Sequence, residues 1–120
     1  MSVKKLDIKI PKMDYQIISL TVKKDGEEIK LGSNDLIFMT VRDTVYSKGY
    51  VFQKSLEKGI SYNTTTNKYE IVIDSSDTAN MECEKKYGYD IVIYFDGNKP
   101  KQQVVGTFTL QQKYTLNEVV

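Results

Sequence analysis

The chain has 120 residues, with 17 basic and 16 acidic side chains, no His, no Trp, one Cys, two Pro and seven Gly. A formal charge of +1 offers no electrostatic case for nucleic acid or an anionic membrane, both of which favour a clearly basic face. The missing His removes His-based triads and the commonest transition-metal ligand. The lone Cys removes a disulfide framework within the chain and any multi-Cys zinc site.

The length suits one domain able to bury a core, expected over 1–114 with a C-terminal tail at 115–120. Nine Tyr, four Phe and many Ile, Val and Thr favour strands, whereas Ala, the best helix former, occurs once, at Ala79. The amino terminus carries no signal-peptide pattern, and no run approaches the ~18 apolar residues of a membrane span.

In chain order the signal is period two. Leu6, Ile8 and Ile10 line one face of a first strand, stopped by Pro11. Ile18, Leu20 and Val22 line a second, and Asp25-Gly26 reads as a hairpin turn with Ile29 and Leu31 on the return. Leu36 to Val41 is apolar on both faces, which predicts a central strand covered on each side or one face of an interface. Arg42 to Gly49 reads as a polar loop. Tyr50 to Leu56 suits a strand better than the short helix that Gly59 could close. Asn63 to Asn67 is a polar turn, followed by an inward row of Tyr69, Ile71 and Ile73.

Ser75-Ser76-Asp77-Thr78 offers N-cap residues for a single helical turn. The strongest strand follows, with Tyr87, Tyr89, Ile91, Ile93 and Phe95 on one side, and then a turn cluster at Asp96 to Pro100. Val104, Phe108 and Leu110 face inward on the last strand. Turn signals every ~8–12 residues predict an all-β, antiparallel sandwich of about seven to nine strands, with a short helical turn near 75–83 and no βαβ unit.

Chemical motifs are sparse. Asp74, Asp77 and Asp43 could supply oxygens to Ca²⁺, but capping of a turn by Asp77 or Ser76 needs only one placed oxygen. Cys83 stands between Glu82 and Glu84 with no His to act as base. Glu27, Glu28, Glu57 and Glu70 could form a glycosidase pair or a solvated surface. Asn63-Thr64-Thr65 matches a glycosylation acceptor. Tyr and Lys interleave at 46–50 and 85–89, as in surfaces that stack on sugars or bases, and equally as in strands whose rings are core. No catalytic, cofactor or metal site emerges.

Phe52-Gln53-Lys54-Ser55 through Gly59-Ile60, Tyr69-Glu70-Ile71-Val72-Ile73, Asp77-Thr78, Tyr87-Gly88-Tyr89-Asp90-Ile91 and Val105 to Leu110 carry a resemblance. Over roughly residues 36–114 the chain resembles the immunoglobulin-like domains of tailed-phage and prophage structural proteins. It is particularly similar to the amino-terminal domain of BppU-type upper-baseplate proteins. Where members place a Leu and a Gly before the Tyr-x-Tyr unit, this chain has Met81 and Glu84-Lys85-Lys86.

The resemblance implies an immunoglobulin-like sandwich without enzymatic activity or cofactor. It would be a tail or baseplate component, found in a virion or in the bacterial cytoplasm during assembly. It would contact other virion proteins and could associate with itself, with no nucleic acid or membrane partner. In such sandwiches a Tyr at the start of the penultimate strand bonds back across the preceding corner; Tyr87 or Tyr89 is the candidate, over the Asp77–Met81 stretch. The interface and structural candidates are Leu36, Phe38, Met39, Tyr87 and Tyr89. The alternative is a carbohydrate- or host-surface-binding module using exposed Tyr, which the absence of Trp disfavours.

Overall fold

The computed structural model describes residues 2–12, 15–24, 26–43, 49–95 and 99–111. The expected tail, most of the Arg42–Gly49 loop and the Asp96-Gly97-Asn98 turn lie outside them. The fold is all-β: strands β1 (Ser2–Lys5), β2 (Ile8–Pro11), β3 (Tyr15–Leu20), β4 (Lys23–Lys24), β5 (Glu27–Glu28), β6 (Leu36–Arg42), β7 (Phe52–Leu56), β8 (Gly59–Asn63), β9 (Lys68–Asp74), β10 (Lys86–Phe95) and β11 (Lys99–Gln111), with one helical turn, α1 (Ser75–Thr78), between β9 and β10.

Nine strands form one hydrogen-bonded sheet in the order β1-β11-β10-β6-β7-β8-β9-β3, with β2 also on β11; β4 and β5 form a separate hairpin. The first predicted strand is therefore two. β1 and β2 lie on the same edge of β11 in one register, Lys5 opposite Val105 and Ile8 opposite Phe108, with the ladder interrupted at Leu6 and Asp7. Both run parallel to β11, so the sheet is mixed where a wholly antiparallel one was expected; side-chain alternation carries no information about strand direction. β6 lies between β10 and β7, which gives it the central position expected of its apolar sequence.

The sheet is rolled into a sandwich-like half-barrel. Strands three places apart in a flat sheet would lie about 14 Å apart, yet the rings of Phe52 on β7 and Phe108 on β11 meet edge to face at 5.9 Å. The sheet turns at the β7–β8 corner, where Glu57 and Gly59 adopt φ of 66° and 101°. There Lys58 N–H donates to the Ser55 carbonyl at 2.9 Å and Ser55 N–H donates to that of Lys58 at 3.1 Å. The corner divides the sheet into a large leaf (β1, β2, β11, β10, β6, β7) and a small leaf (β8, β9, β3).

Their concave faces form one core. Ile37, Met39 and Val41 enter it from β6, Tyr87 to Phe95 at alternate positions from β10, Phe108 and Leu110 from β11, and Tyr69, Ile71 and Ile73 from β9. Two polar ties fasten connecting segments to the sheet, one from β9 to the segment before β6 and one from β7 to α1. The Tyr69 hydroxyl, buried, accepts from Leu31 N–H at 2.6 Å, and burial pushes its pKa above the ordinary phenol value. Lys54 of β7 crosses over Gly59 to Asp77 of α1, Nζ to Oδ2 2.6 Å, with the two side chains only 12% and 14% exposed. An ion pair this sheltered must keep both partners, because removal of one leaves an uncompensated charge in a low-dielectric site.

Candidate interaction face

Period two along β6 separates two populations of side chain. Ile37, Met39 and Val41 are buried, whereas Leu36, Phe38 and Arg42 lie on the convex face of the large leaf and retain solvent contact. The registers Asp90↔Thr40, Val92↔Phe38 and Tyr94↔Leu36 place the outward residues of β10 beside them. Phe38 and Tyr94 pack edge to face at 6.1 Å, and Leu36 is 39% exposed at the end of the row. The result is a short apolar stripe of Leu36, Phe38, Val92 and Tyr94.

Beside the stripe the same face becomes polar and concave. Thr40, Arg42, Gly88, Asp90, Val105 and Thr107, with Lys5 and Asp7 at the rim, surround a depression of about 430 Å³. A second hollow of about 300 Å³ shares Thr40, Arg42 and Asp90 and runs into Phe38 and Tyr94. Gln53 Nε2 donates to Thr40 Oγ1 at 2.9 Å and closes one wall. Arg42 and Asp90 face this trough with no ion-pair partner among the described residues, so a guanidinium and a carboxylate are both available to a ligand.

Of the five residues singled out from sequence, this face brings together only Leu36 and Phe38. Met39 is fully buried, and Tyr87 and Tyr89 are each 4% exposed; these three are placed in the core, not on a contact surface. The two tyrosines differ in what they tie. Tyr87 OH accepts from Glu82 N–H at 2.8 Å, bonding back across the preceding corner. Tyr89 OH donates to the Leu6 carbonyl at 2.6 Å, on the far edge of the leaf, and its burial, with the Asp7 charge nearby, pushes its pKa to about 12.

The remaining candidates are dispersed. Asp74, not Asp77 or Ser76, is the N-cap of α1: its side chain accepts from Ser76 and Asp77 N–H, and Asp77 Oδ2 accepts in return from Asp74 N–H. This is a capping box. The Ser76 hydroxyl and the Asp77 N–H hold the Asp74 carboxyl below the usual range. Asp77 is engaged by Lys54 and Asp43 by Lys85, and among the described residues no cluster of Cys, Asp and Glu is placed to hold a metal ion.

Cys83 is half-buried and bridges to Leu110. Glu27 and Glu28 lie on the β4–β5 hairpin, Glu57 in the corner, and Glu70 on β9, where it accepts from Asn63 Nδ2 at 3.2 Å. Asn63 Oδ1 itself accepts from Thr65 and Thr66 N–H in the β8–β9 turn. Of the first Tyr–Lys cluster only Gly49 and Tyr50 are described, and Tyr50 is 58% exposed. No described helix is long and apolar enough to cross a membrane.

The trough residues Arg42, Asp90 and Gln53 were not singled out from sequence. Their parity marks them as outward, but only the β6–β10 and β6–β7 registers bring them together. The molecule is thus an all-β, sandwich-like domain whose most structured surface is one sheet face, part apolar stripe and part polar trough. No family model matches the chain, and no curated protein does.

Proposed function

We propose that this chain is a non-enzymatic assembly module that works by protein–protein contact, in the setting its resemblance implies: the tail or baseplate of a phage or prophage particle. The observation that supports this reading is the outer face of the large leaf. Leu36, Phe38, Val92 and Tyr94 form an aromatic-centred stripe on the sheet, and Arg42, Asp90 and Gln53 set directional polar groups beside it. Apolar contact area next to directional polar groups is what a protein interface uses. The test is to purify particles from cells carrying the gene, with the wild-type chain or with Phe38→Ser. Wild type is expected to co-sediment with particles. Phe38→Ser is expected to fold, because its side chain lies on the convex face outside the core cluster, and to be lost from them. A wild-type chain absent from the particles overturns the reading.

A second reading takes the trough as a glycan site. Arg42, Asp90 and Gln53 could pair with hydroxyls while Tyr94 and Phe38 offer apolar surface. A glycan array on wild type and Arg42→Ala separates the two: signal that depends on Arg42 favours sugar, and a blank array leaves the assembly reading alone.

A further inference from the structure

The large sheet ends on β1 and β2 at one side and on β3 at the other. A sheet edge offers unpaired N–H and C=O groups to any other strand, and proteins normally blunt it with Lys, Pro or a bulge. The β1–β2 edge has two of these, Lys5 and Lys9 and the terminal Pro11, and its ladder is interrupted at Leu6-Asp7. β3 has none. Tyr15-Gln16-Ile17-Ile18-Ser19-Leu20 contains no charge, Pro or Gly, and β9 is its one strand neighbour among the described residues. Its outward side chains include two of the large apolar groups most exposed among the described residues, Tyr15 being 57% and Ile17 45% exposed. Ile18 and Leu20 on its inner side line an open apolar groove of about 400 Å³ that runs across to Leu6 and Val104.

The geometry points to β3 as a docking edge for β3 of a second copy of this chain, antiparallel about a two-fold axis, with Ile17 opposite Ile17. Charge selects this occupant. Two copies of the β1–β2 edge paired about Asp7 would set Lys5 against Lys9, and like charges across a strand pair destabilise it. Two copies of β3 meet no charge at all. Pairing about Ile17 keeps outward residues outward, so Tyr15 faces the partner's Ser19 while the exposed Ile17 pair covers itself. The small leaves of both copies then become one continuous sheet. This surface is separate from the convex face of the large leaf.

Sedimentation velocity of the full chain over a concentration series tests it. The mass is expected to rise from monomer to dimer and stop there. Ile17→Lys sets two ammonium groups against each other and is expected to raise the dissociation constant about ten-fold or more, while its circular dichroism melt matches the wild type at concentrations where both are monomers. In a Cys83→Ser background with a mild oxidant, Ile17→Cys is expected to give a disulfide-linked dimer, and Ser19→Cys, which lies opposite Tyr15, is not. A monomer at every concentration, a mass climbing past the dimer, or a dimer that Ile17→Lys leaves intact each overturns the assignment. Phe38→Ser leaves the dimer unchanged, so this inference and the outer-face reading fail separately.

Discussion

The two edges of the sheet are built on opposite principles. The β1–β2 edge is pinned: Leu6 N–H donates to the Val105 carbonyl at 2.8 Å, the Leu6 carbonyl accepts from Tyr89 OH at 2.6 Å, and Asp7 Oδ1 accepts from Thr107 N–H at 3.0 Å. Gly106 allows this close approach by having no side chain to occupy the space the Leu6–Asp7 backbone takes. β3 carries no charged residue, and β9 is its one strand neighbour among the described residues. One edge is fastened to its neighbours at Leu6 and Asp7 and carries lysines; the other carries no charge. Interaction capacity in this fold thus follows from where these ties and the charges are placed, and the composition of the chain as a whole does not reveal it.

The largest test of the contrast is Gly106→Ala. A Cβ there would fall onto the Leu6 carbonyl oxygen, with the carbonyl carbon at 2.7 Å and Asp7 Oδ1 at 2.9 Å. Backbone cannot swing aside as the end of a long side chain can, so the Leu6–Asp7 segment must move and its hydrogen bonds weaken together. The expected cost is about 1–3 kcal/mol, that of overpacking a well-filled site, read from urea unfolding. An unchanged midpoint would show that the edge is not pinned in this way.

The interruption at Leu6–Asp7 also marks where the sequence stops being legible. Alternation placed Leu6, Ile8 and Ile10 on one inward row, but Leu6 is 49% exposed, because Asp7 turns to the Thr107 N–H and interrupts the strand. The partner is 100 positions away, and nothing local announces it. The rows Tyr69-Ile71-Ile73 and Tyr87 to Phe95 were legible because each is long and buried on one side, so tertiary packing and local pattern agree. The capping box at Asp74 and Asp77 is local chemistry that the spacing allows. The Lys54–Asp77 pair and the Arg42–Asp90 trough depend on strand order and register, which period two does not encode.

Next in size is Tyr89→Phe, which deletes the hydroxyl but keeps the ring in the core. The expected loss is about 1 kcal/mol, since the Leu6 carbonyl gives up its Tyr89 partner. The pKa of Tyr89, raised to about 12, supplies a second signature. The folded state favours the neutral phenol, so this contribution is complete below the ordinary phenol value near pH 10 and disappears as pH rises towards 12. Wild type is therefore expected to lose more stability than Tyr89→Phe between those limits. Parallel alkaline limbs for the two proteins would remove Tyr89 OH from the account of the pinned edge.

The smallest effect belongs to Asp7, whose carboxyl is held below the usual range chiefly by the Thr107 N–H. A carboxyl depressed in the folded state stabilises above its unfolded value, about 3.9, and loses that contribution as pH falls through the lower folded value. The same sign holds for Asp74, so both contribute to an acid limb below about pH 4. Asn at position 7 can still accept from Thr107 N–H but has no proton to gain. Asp7→Asn is therefore expected to make the acid limb shallower without removing it, because Asp74 still titrates. Melting midpoints collected from neutral pH down to the acid transition decide this. An Asp7→Asn curve that tracks the wild type throughout would mean that the Leu6–Asp7 segment is held without the charge on Asp7, and that this charge has no part in making this edge differ from β3.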